Sequence, residues 1–535
     1  MKFTCIVTSF PLIGASLFLH IFFASSQDFT LLERNSLIFR ESGEGNGTPP
    51  LHSAIKPWVA LRELSSVTDS VINRITGLCF LVKNSPGNEQ QVNGFFLMDN
   101  RIGITGKSPG NRLQYSAGTG LSMRFRDKFG LEYCLMGGEL TFPDYMNGFI
   151  RTRYIYPGYG FMDTTNVFIA QRGLASWQLS PYFRVQAGYD KNFWGDGYRS
   201  LILSDLAAPY PFFKITADFW RMRYVSLHAS LRNIRLITYA DRVKPELIPK
   251  YGTFHILHWN ISNRFSMSVF EAIIWKGTDE NLERKYDINY LNPVIFYRPV
   301  EYSTGSNDNA LMGLNLTARP FGRITFYGQW LLDEFLLKEM KADVKRFVTD
   351  DDSSFSWGWY SNKYGLQGGI KYPDAFGINR LHLQVEFNRV RPYTYSHANA
   401  YQNYSHMNQP LAHPMGSNFR EMIALFDYNY RKWYVNAEAV YAIMGTDSGS
   451  SNWGGDIFKP IKTREREYYN ENGQGVKTDL KIVQIKAGYL ISASSNLYAE
   501  AGFIYRISDS ILSVTENNYL WIGIRTRLFN EYFDY

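Results

Sequence analysis

The stretch VQIKAGYLISASSNLYAEAGFIYR, residues 483–506, carries the pattern that decides the fold. Val483, Ile485, Ala487, Tyr489 and Ile491 alternate with Gln484, Lys486 and Gly488. A turn at Ser494-Ser495-Asn496 leads into Leu497, Ala499, Ala501, Phe503 and Tyr505, which alternate with Tyr498, Glu500, Gly502 and Arg506. A two-residue period puts successive side chains on opposite faces of a strand. Each strand therefore has one apolar and one polar face, and the short turn joins the two as an antiparallel hairpin.

The same period recurs along the chain. Leu121, Met123 and Phe125 precede a turn at Arg126-Asp127-Lys128, after which Phe129, Leu131, Tyr133 and Leu135 resume the alternation. Leu381, Leu383, Val385 and Phe387 alternate with His382, Gln384, Glu386 and Asn388. Leu520, Ile522, Ile524 and Leu528 share one face of a last strand, and Trp521, Gly523, Arg525 and Arg527 share the other. Phe265 to Trp275 fits poorly, because Glu271 has the parity of Met267, Val269 and Ile273; a bulge near Phe270 would turn it inward.

Composition narrows the classes. At 535 residues and 45% hydrophobic the chain is too apolar for disorder, and with three cysteines it is no disulfide-built domain. A net charge of +7 without a basic run does not argue for nucleic acid, and no nucleic-acid partner is expected. Beyond the N-terminus no stretch is long and apolar enough for a spanning helix. Cys79 and Cys134 are able to pair in an oxidising compartment, but spacing alone does not place them within bonding distance.

Alternation by itself fits both a soluble sandwich and a membrane barrel. Unequal connections favour the barrel: the turns at 126–128, 430–432 and 494–496 are tight, whereas 190–212 and 390–419 are long. Aromatics cluster near strand ends, at Phe219-Trp220, Tyr428 with Tyr430, and Trp433-Tyr434, as interface girdles do. The chain closes on an alternating strand with a terminal aromatic, Tyr535, although 530–534 interrupts the pattern. The expectation is an all-β fold: a single transmembrane antiparallel β-barrel of roughly 16–20 strands, about 18 fitting best. Leu381, Leu383, Val385, Phe387, Leu497, Ala499, Ala501 and Phe503 are expected to meet lipid, and Glu386, Glu500, Arg506, Arg525 and Arg527 to point inward.

Residues 1–26 read as a secretory signal, with Lys2, an apolar run from Phe3 to Phe23 and Ala24-Ser25-Ser26 before Gln27. Residues 27–90 form an N-terminal periplasmic or plug segment with a short helix expected over Ala60 to Ile75, and 91–535 form the outer-membrane barrel. An exported barrel of this kind belongs in the outer membrane of a Gram-negative bacterium, with membrane lipid as its first partner.

Three segments carry candidate chemistry. In Phe193 to Asp205, two glycines flank Asp196 in a tight loop; Trp194 and Tyr198 offer flat faces for sugars, and Asp196 and Arg199 offer charged tips. The bland reading is structural: a packed tryptophan and an Asp196–Arg199 pair. Arg298 and Glu301 in 292–309 also read as an internal pair or as ligand contacts. Arg391, Tyr393 and His397 begin a third segment running to Phe419. The spacing of His397, His406 and His413 matches no standard zinc pattern, so neither metal nor cofactor is expected. No nucleophile elbow or metalloprotease helix occurs, so the chain does not read as an enzyme.

These segments also carry a resemblance. FWGDGYRSLILSD (193–205), with Pro209 and Pro211, resembles the signature of the capsule-assembly Wzi family. LNPVIFYRPVE with GSNDNALMGL, and RPYTYSH with NQPLAHPMGSNF, resemble more closely the Wzi-related proteins of gliding bacteria, the RemB type. The resemblance implies a barrel closed by its own loops and N-terminal helices. In the capsule branch it implies surface-polysaccharide binding; in the gliding branch, a role beside motility or secretion machinery. The chain departs from the capsule branch after the shared loop. The alternatives are a diffusion porin and a secreted glycan-active enzyme. The three segments are expected to converge on Trp194, Tyr198, Arg199, Arg298, Glu301, Arg391, Tyr393 and His397.

Overall fold

The computed structural model describes residues 52–56, 90–106, 111–125, 128–161, 166–239, 242–279, 282–283, 288–291, 308–349, 356–492, 495–526 and 529–535. The expected signal, the helix at 60–75, Cys79, Arg298, Glu301, Arg527 and Leu528 lie outside these residues. Eighteen antiparallel strands close into one barrel. They are β1 Gln90–Thr105, β2 Asn111–Phe125, β3 Phe129–Glu139, β4 Val167–Gln178, β5 Phe183–Asp190, β6 Tyr210–Phe219, β7 Met222–Tyr239, β8 Arg242–Asn260 and β9 Phe265–Lys276. Then come β10 Asn309–Ala318, β11 Thr325–Leu332, β12 Tyr364–Pro373, β13 Leu381–Val390, β14 Phe419–Tyr430, β15 Trp433–Thr446, β16 Val476–Ser492, β17 Leu497–Ser510 and β18 Val514–Thr526. Each strand pairs with the next, and β18 returns to β1 with Ile522 opposite Ile102, so no strand of the barrel is left as an edge. Helix α1, Asp144–Arg153, and helix α2, Leu337–Thr349, lie in connections.

Period-two patterning sets the facing. On β13, Val385 and Phe387 are exposed on the outer wall, while Gln384, Glu386 and Asn388 are buried. Leu381 is the exception among the residues expected to meet lipid: beside the 374–380 turn it is buried. On β17 and β18, Ala499, Ala501, Phe503, Ile522 and Ile524 face out, whereas Glu500 and Arg525 are buried and bonded to each other. Near Phe270 no bulge forms. The register of β9 runs unbroken from Ser266 to Lys276 against β8, and Glu271 lies opposite His255 and Met312, buried and with its original parity.

The connections sort by end. Those at 140–166, 191–209, 277–308, 333–363, 391–418 and 447–475 all lie at one end, with the opposite end closed by turns of a few residues. Exposed aromatics gather at the short-turn end: Trp177, Tyr182, Phe219, Trp220, Tyr430 and Trp433. Tyr434, grouped with them by sequence, instead turns inward and bonds Glu500. An apolar outer wall with an aromatic belt matches a bilayer, and among sheets only a closed one satisfies every backbone group there.

The last strand ends at Thr526, not at the terminal aromatic. Residues 529–535 fold back into the lumen, where Tyr532 bonds Asp205 (2.7 Å) and the Tyr535 carbonyl accepts from Arg506 (3.0 Å). Asn530, Glu531 and Asp534 break the alternation because each has a lumen partner.

Candidate functional site

The lumen is filled, and its filling is built from the FWGDG segment. Phe193-Trp194 forms a two-residue strand against Ile55-Lys56, so an early stretch of the chain and the 191–209 loop meet inside the barrel. Trp194 is fully buried, edge-on to Phe254 (6.5 Å) and Phe270 (5.9 Å) from the wall. Val225, Leu227, Ile256 and Leu331 turn inward into the same core. The wall therefore uses its inward face in two ways: polar residues bond loop backbone, and apolar residues pack loop side chains.

The two glycines are required by proximity to that wall. Gly195 has φ 141°, and a Cβ on it would lie 2.3 Å from the Gln329 side chain. A Cβ on Gly197 would lie 2.5 Å from the Glu386 carboxylate. With no side chain between them, Glu386 accepts the backbone N–H groups of Tyr198 (2.7 Å) and Arg199 (3.0 Å) as well as the Tyr327 hydroxyl (2.7 Å). The Gln329 carbonyl accepts from Leu201 N–H (2.8 Å).

Asp196 and Arg199 do not pair. Asp196 accepts from Asn315 (2.9 Å) and Thr317 (2.7 Å) on β10. Burial disfavours its charge, but Lys371 and Lys56 overcome that and hold its carboxyl well below the usual range. Arg199 reaches Asp534 of the tail (2.7 Å) and Glu421 of β14 (3.2 Å). Burial opposes the guanidinium charge, and these two carboxylates more than restore it. The Tyr198 hydroxyl donates to Asp534 (3.0 Å) and lies 3.3 Å from Glu438, and His413 bonds Glu421 (2.7 Å). One arginine thus bridges two buried carboxylates, Glu421 of a strand and Asp534 of the tail, with half-buried Glu438 beside the Tyr198 hydroxyl. A pair between Asp196 and Arg199 would have taken the guanidinium from Glu421 and Asp534, leaving them only the neutral donors around them.

The described parts of the three segments meet, but through residues other than the candidates: Arg199 turns to the tail, Arg391 to α2 and Tyr393 to the 447–475 connection. Tyr395 and Tyr404 donate to the carbonyls of Leu201 (2.8 Å) and Ile202 (2.6 Å), and Ser204 N–H donates to Leu411 O (2.7 Å). Of the 292–309 segment, Asp308 and Asn309 bond Gln402. Arg391 pairs with Asp343 of α2 (2.6 Å), and Tyr393, at φ 66°, donates to Asn452 O (2.9 Å). His397 is buried, and burial with Lys363 nearby lowers its imidazole to about 4. His406 bonds Arg232 N–H, and His413 bonds Glu421, so the three histidines have separate partners. Among the described residues Cys134 is buried and unpaired. A cavity beside the tail, lined by Gln114, Tyr159, Lys191 and Tyr532, holds about 30 Å³, room for a water and not for a sugar.

The solvent-facing roof over this plug is a surface the sequence did not single out. In the 447–475 connection, Arg464 lies over Tyr360 (4.0 Å) and Arg466 over Trp453 (4.8 Å), while Tyr469 stands 46% exposed, edge-on to Trp357 (5.4 Å). Guanidinium and aromatic groups at one surface suit an acidic sugar. The run REREYY (464–469) was its only local signal.

No family model and no curated protein matches the chain. Among solved structures it is similar to Wzi of Escherichia coli, an outer membrane protein involved in group 1 capsule assembly and described as a carbohydrate-binding β-barrel. The TM-score is 0.55 at 14% identity, covering 94% of this chain and 99% of that one. OccAB2 of Acinetobacter baumannii (TM-score 0.43, 9% identity, 82% and 97% covered) and OprD of Pseudomonas aeruginosa (0.43, 10%, 83% and 96%) are more distant. At these identities the likeness is one of fold: this chain is a closed 18-stranded β-barrel of the outer-membrane type.

Proposed function

We propose that the protein is a non-enzymatic outer-membrane barrel that retains surface polysaccharide on its loop roof. The observation that carries this reading is the packed lumen. Trp194, Phe254 and Phe270 form a buried core where a porin needs water, so the working surface lies on the loops and not along a channel. The apolar outer wall and aromatic belt support placement in the outer membrane, with export by the 1–26 signal as part of the same proposal. Likeness of fold to a carbohydrate-binding barrel supports a glycan over other ligands.

On this reading the residues divide by role. Trp194, Asp196, Tyr198, Arg199, Arg391, Tyr393 and His397 hold the roof from beneath, since their faces and tips are already engaged. Tyr469 and Arg466 meet the sugar, Arg464 is held beside them by Glu467 and Tyr360, and Arg298 and Glu301 stay as proposed contacts. The RemB-like motifs at 391–397 and 408–419 favour a second reading, in which the same roof docks gliding or secretion machinery.

Binding of acidic polysaccharides to the purified native barrel tests the first reading. Native protein is expected to retain them, and Tyr469→Ala with Arg466→Gln is expected to lose retention while the barrel stays folded. A native protein that retains no acidic glycan, or a roof variant that retains it as well as the native, contradicts the proposal.

A further inference from the structure

Helix α2 has two unlike faces. Its inner face is anchored: Asp343 pairs with Arg391 and accepts from Gly358 N–H (2.7 Å) and Asn362 (3.0 Å), and Arg346 lies over Trp357 (3.2 Å). On the opposite side Leu337, Val344 and Val348 are 69%, 61% and 75% exposed. Spacings of seven and four put these three on one stripe of the helix. Lys341 lies on the edge of that stripe, with Lys338 and Lys345 just beyond it, and all three lysines are exposed. An apolar stripe bordered by lysines on a helix whose far side is fixed to the protein is the pattern of a segment lying in a membrane interface.

Continuity with the barrel wall points to the same occupant. On β11, Phe326 and Trp330 are exposed on the outer face, opposite Ile370 and Leu366 of β12, which are exposed beside them. That strand ends at Leu332 and α2 begins at Leu337, a separation of at most about 17 Å of chain. Leu336, between them, is 52% exposed. The apolar surface therefore runs from the wall toward the helix, at the end that carries the long connections.

We propose that α2 is an interfacial anchor: Leu337, Val344 and Val348 enter the acyl boundary of the leaflet at the long-loop end, and Lys338, Lys341 and Lys345 bind its anionic phosphate headgroups. Each lysine near an anionic surface adds attraction that salt screens. Because Asp343 of the same helix holds Arg391 at the head of the 391–418 loop, the anchor ties the plug to the membrane plane. The proposal rests on the outer-membrane reading, but it has its own test.

The test is hydrogen–deuterium exchange on the full-length protein in nanodiscs of phosphatidylcholine, with and without phosphatidylglycerol. Peptides covering 336–349 are expected to exchange more slowly in the anionic discs. Lys338→Gln with Lys341→Gln and Lys345→Gln is expected to abolish that difference, with strand peptides unchanged. Equal exchange of 336–349 in both discs by an inserted native barrel overturns the anchor and leaves the membrane reading intact. Slowing that persists in the triple variant overturns the role of the lysines. Failure of the native barrel to enter either disc would instead contradict the outer-membrane reading itself.

Discussion

Arg199→Met is expected to loosen the plug while leaving the barrel closed. Methionine keeps the length of the side chain, so little packing is lost. What is lost is the cation among Glu421, Asp534 and Glu438, of which Asp534 and Glu421 lie 2.7 and 3.2 Å from the guanidinium. Removing one partner of a buried ion pair costs about 3–5 kcal/mol, because the remaining charges stay desolvated. The strand ladder does not depend on Arg199, so the cost falls on the 193–205 loop and the 529–535 tail. Their amide exchange is expected to accelerate on the order of 10²–10³-fold, at ~1.4 kcal/mol per tenfold. Glu421→Gln in the same background should return part of the loss. Unchanged protection of both segments in Arg199→Met would show that the network does not hold the plug.

Val385→Arg acts on the other face of the wall. Val385 is 45% exposed at the middle of β13, two residues from exposed Phe387, while its neighbours Gln384 and Glu386 point inward. A charge at a mid-strand lipid position costs roughly 2–4 kcal/mol. Urea unfolding in lipid is expected to show a loss of that size for Val385→Arg and less than half of it for Val385→Thr. A neutral Val385→Arg would place this face in water and overturn the membrane assignment of the wall.

The wall was legible in the sequence because its rule is local. Each residue of Leu383 to Asn388 declares its face by parity, and a barrel adds only the requirement that every strand do the same. What misled was position near a strand or chain end, not parity. Tyr434 looked like a girdle residue but is drawn in by Glu500, 66 residues away. Tyr535 looked like the end of a strand, yet the tail that carries it is pulled inside by Arg199, Asp205 and Arg506.

The plug was legible only as composition. Two glycines around Asp196 announced a close backbone approach, and the wall side chains Gln329 and Glu386 fill that space. The partners were not legible, since Asp196 bonds a strand 119 residues on and Arg199 a tail 335 residues on. Adjacent charges in sequence invited an Asp196–Arg199 pair; the fold gives each separate partners, Asn315 and Thr317 for the aspartate and the buried Glu421 and Asp534 for the arginine. The roof at 464–469 lay in a loop whose many turn residues announce only a loop; Arg466 meets Trp453 within it, but Arg464 finds Tyr360 and Tyr469 finds Trp357 only where the connections 356–362 and 447–475 meet.

Ion conductance of the native protein in a planar bilayer tests the central claim most directly. A lumen packed around Trp194 and locked by Arg199 predicts inserted protein without steady ohmic current, and Arg199→Met then opens in transient steps. A stable current proportional to voltage in the native protein would contradict the plug and make the barrel a pore.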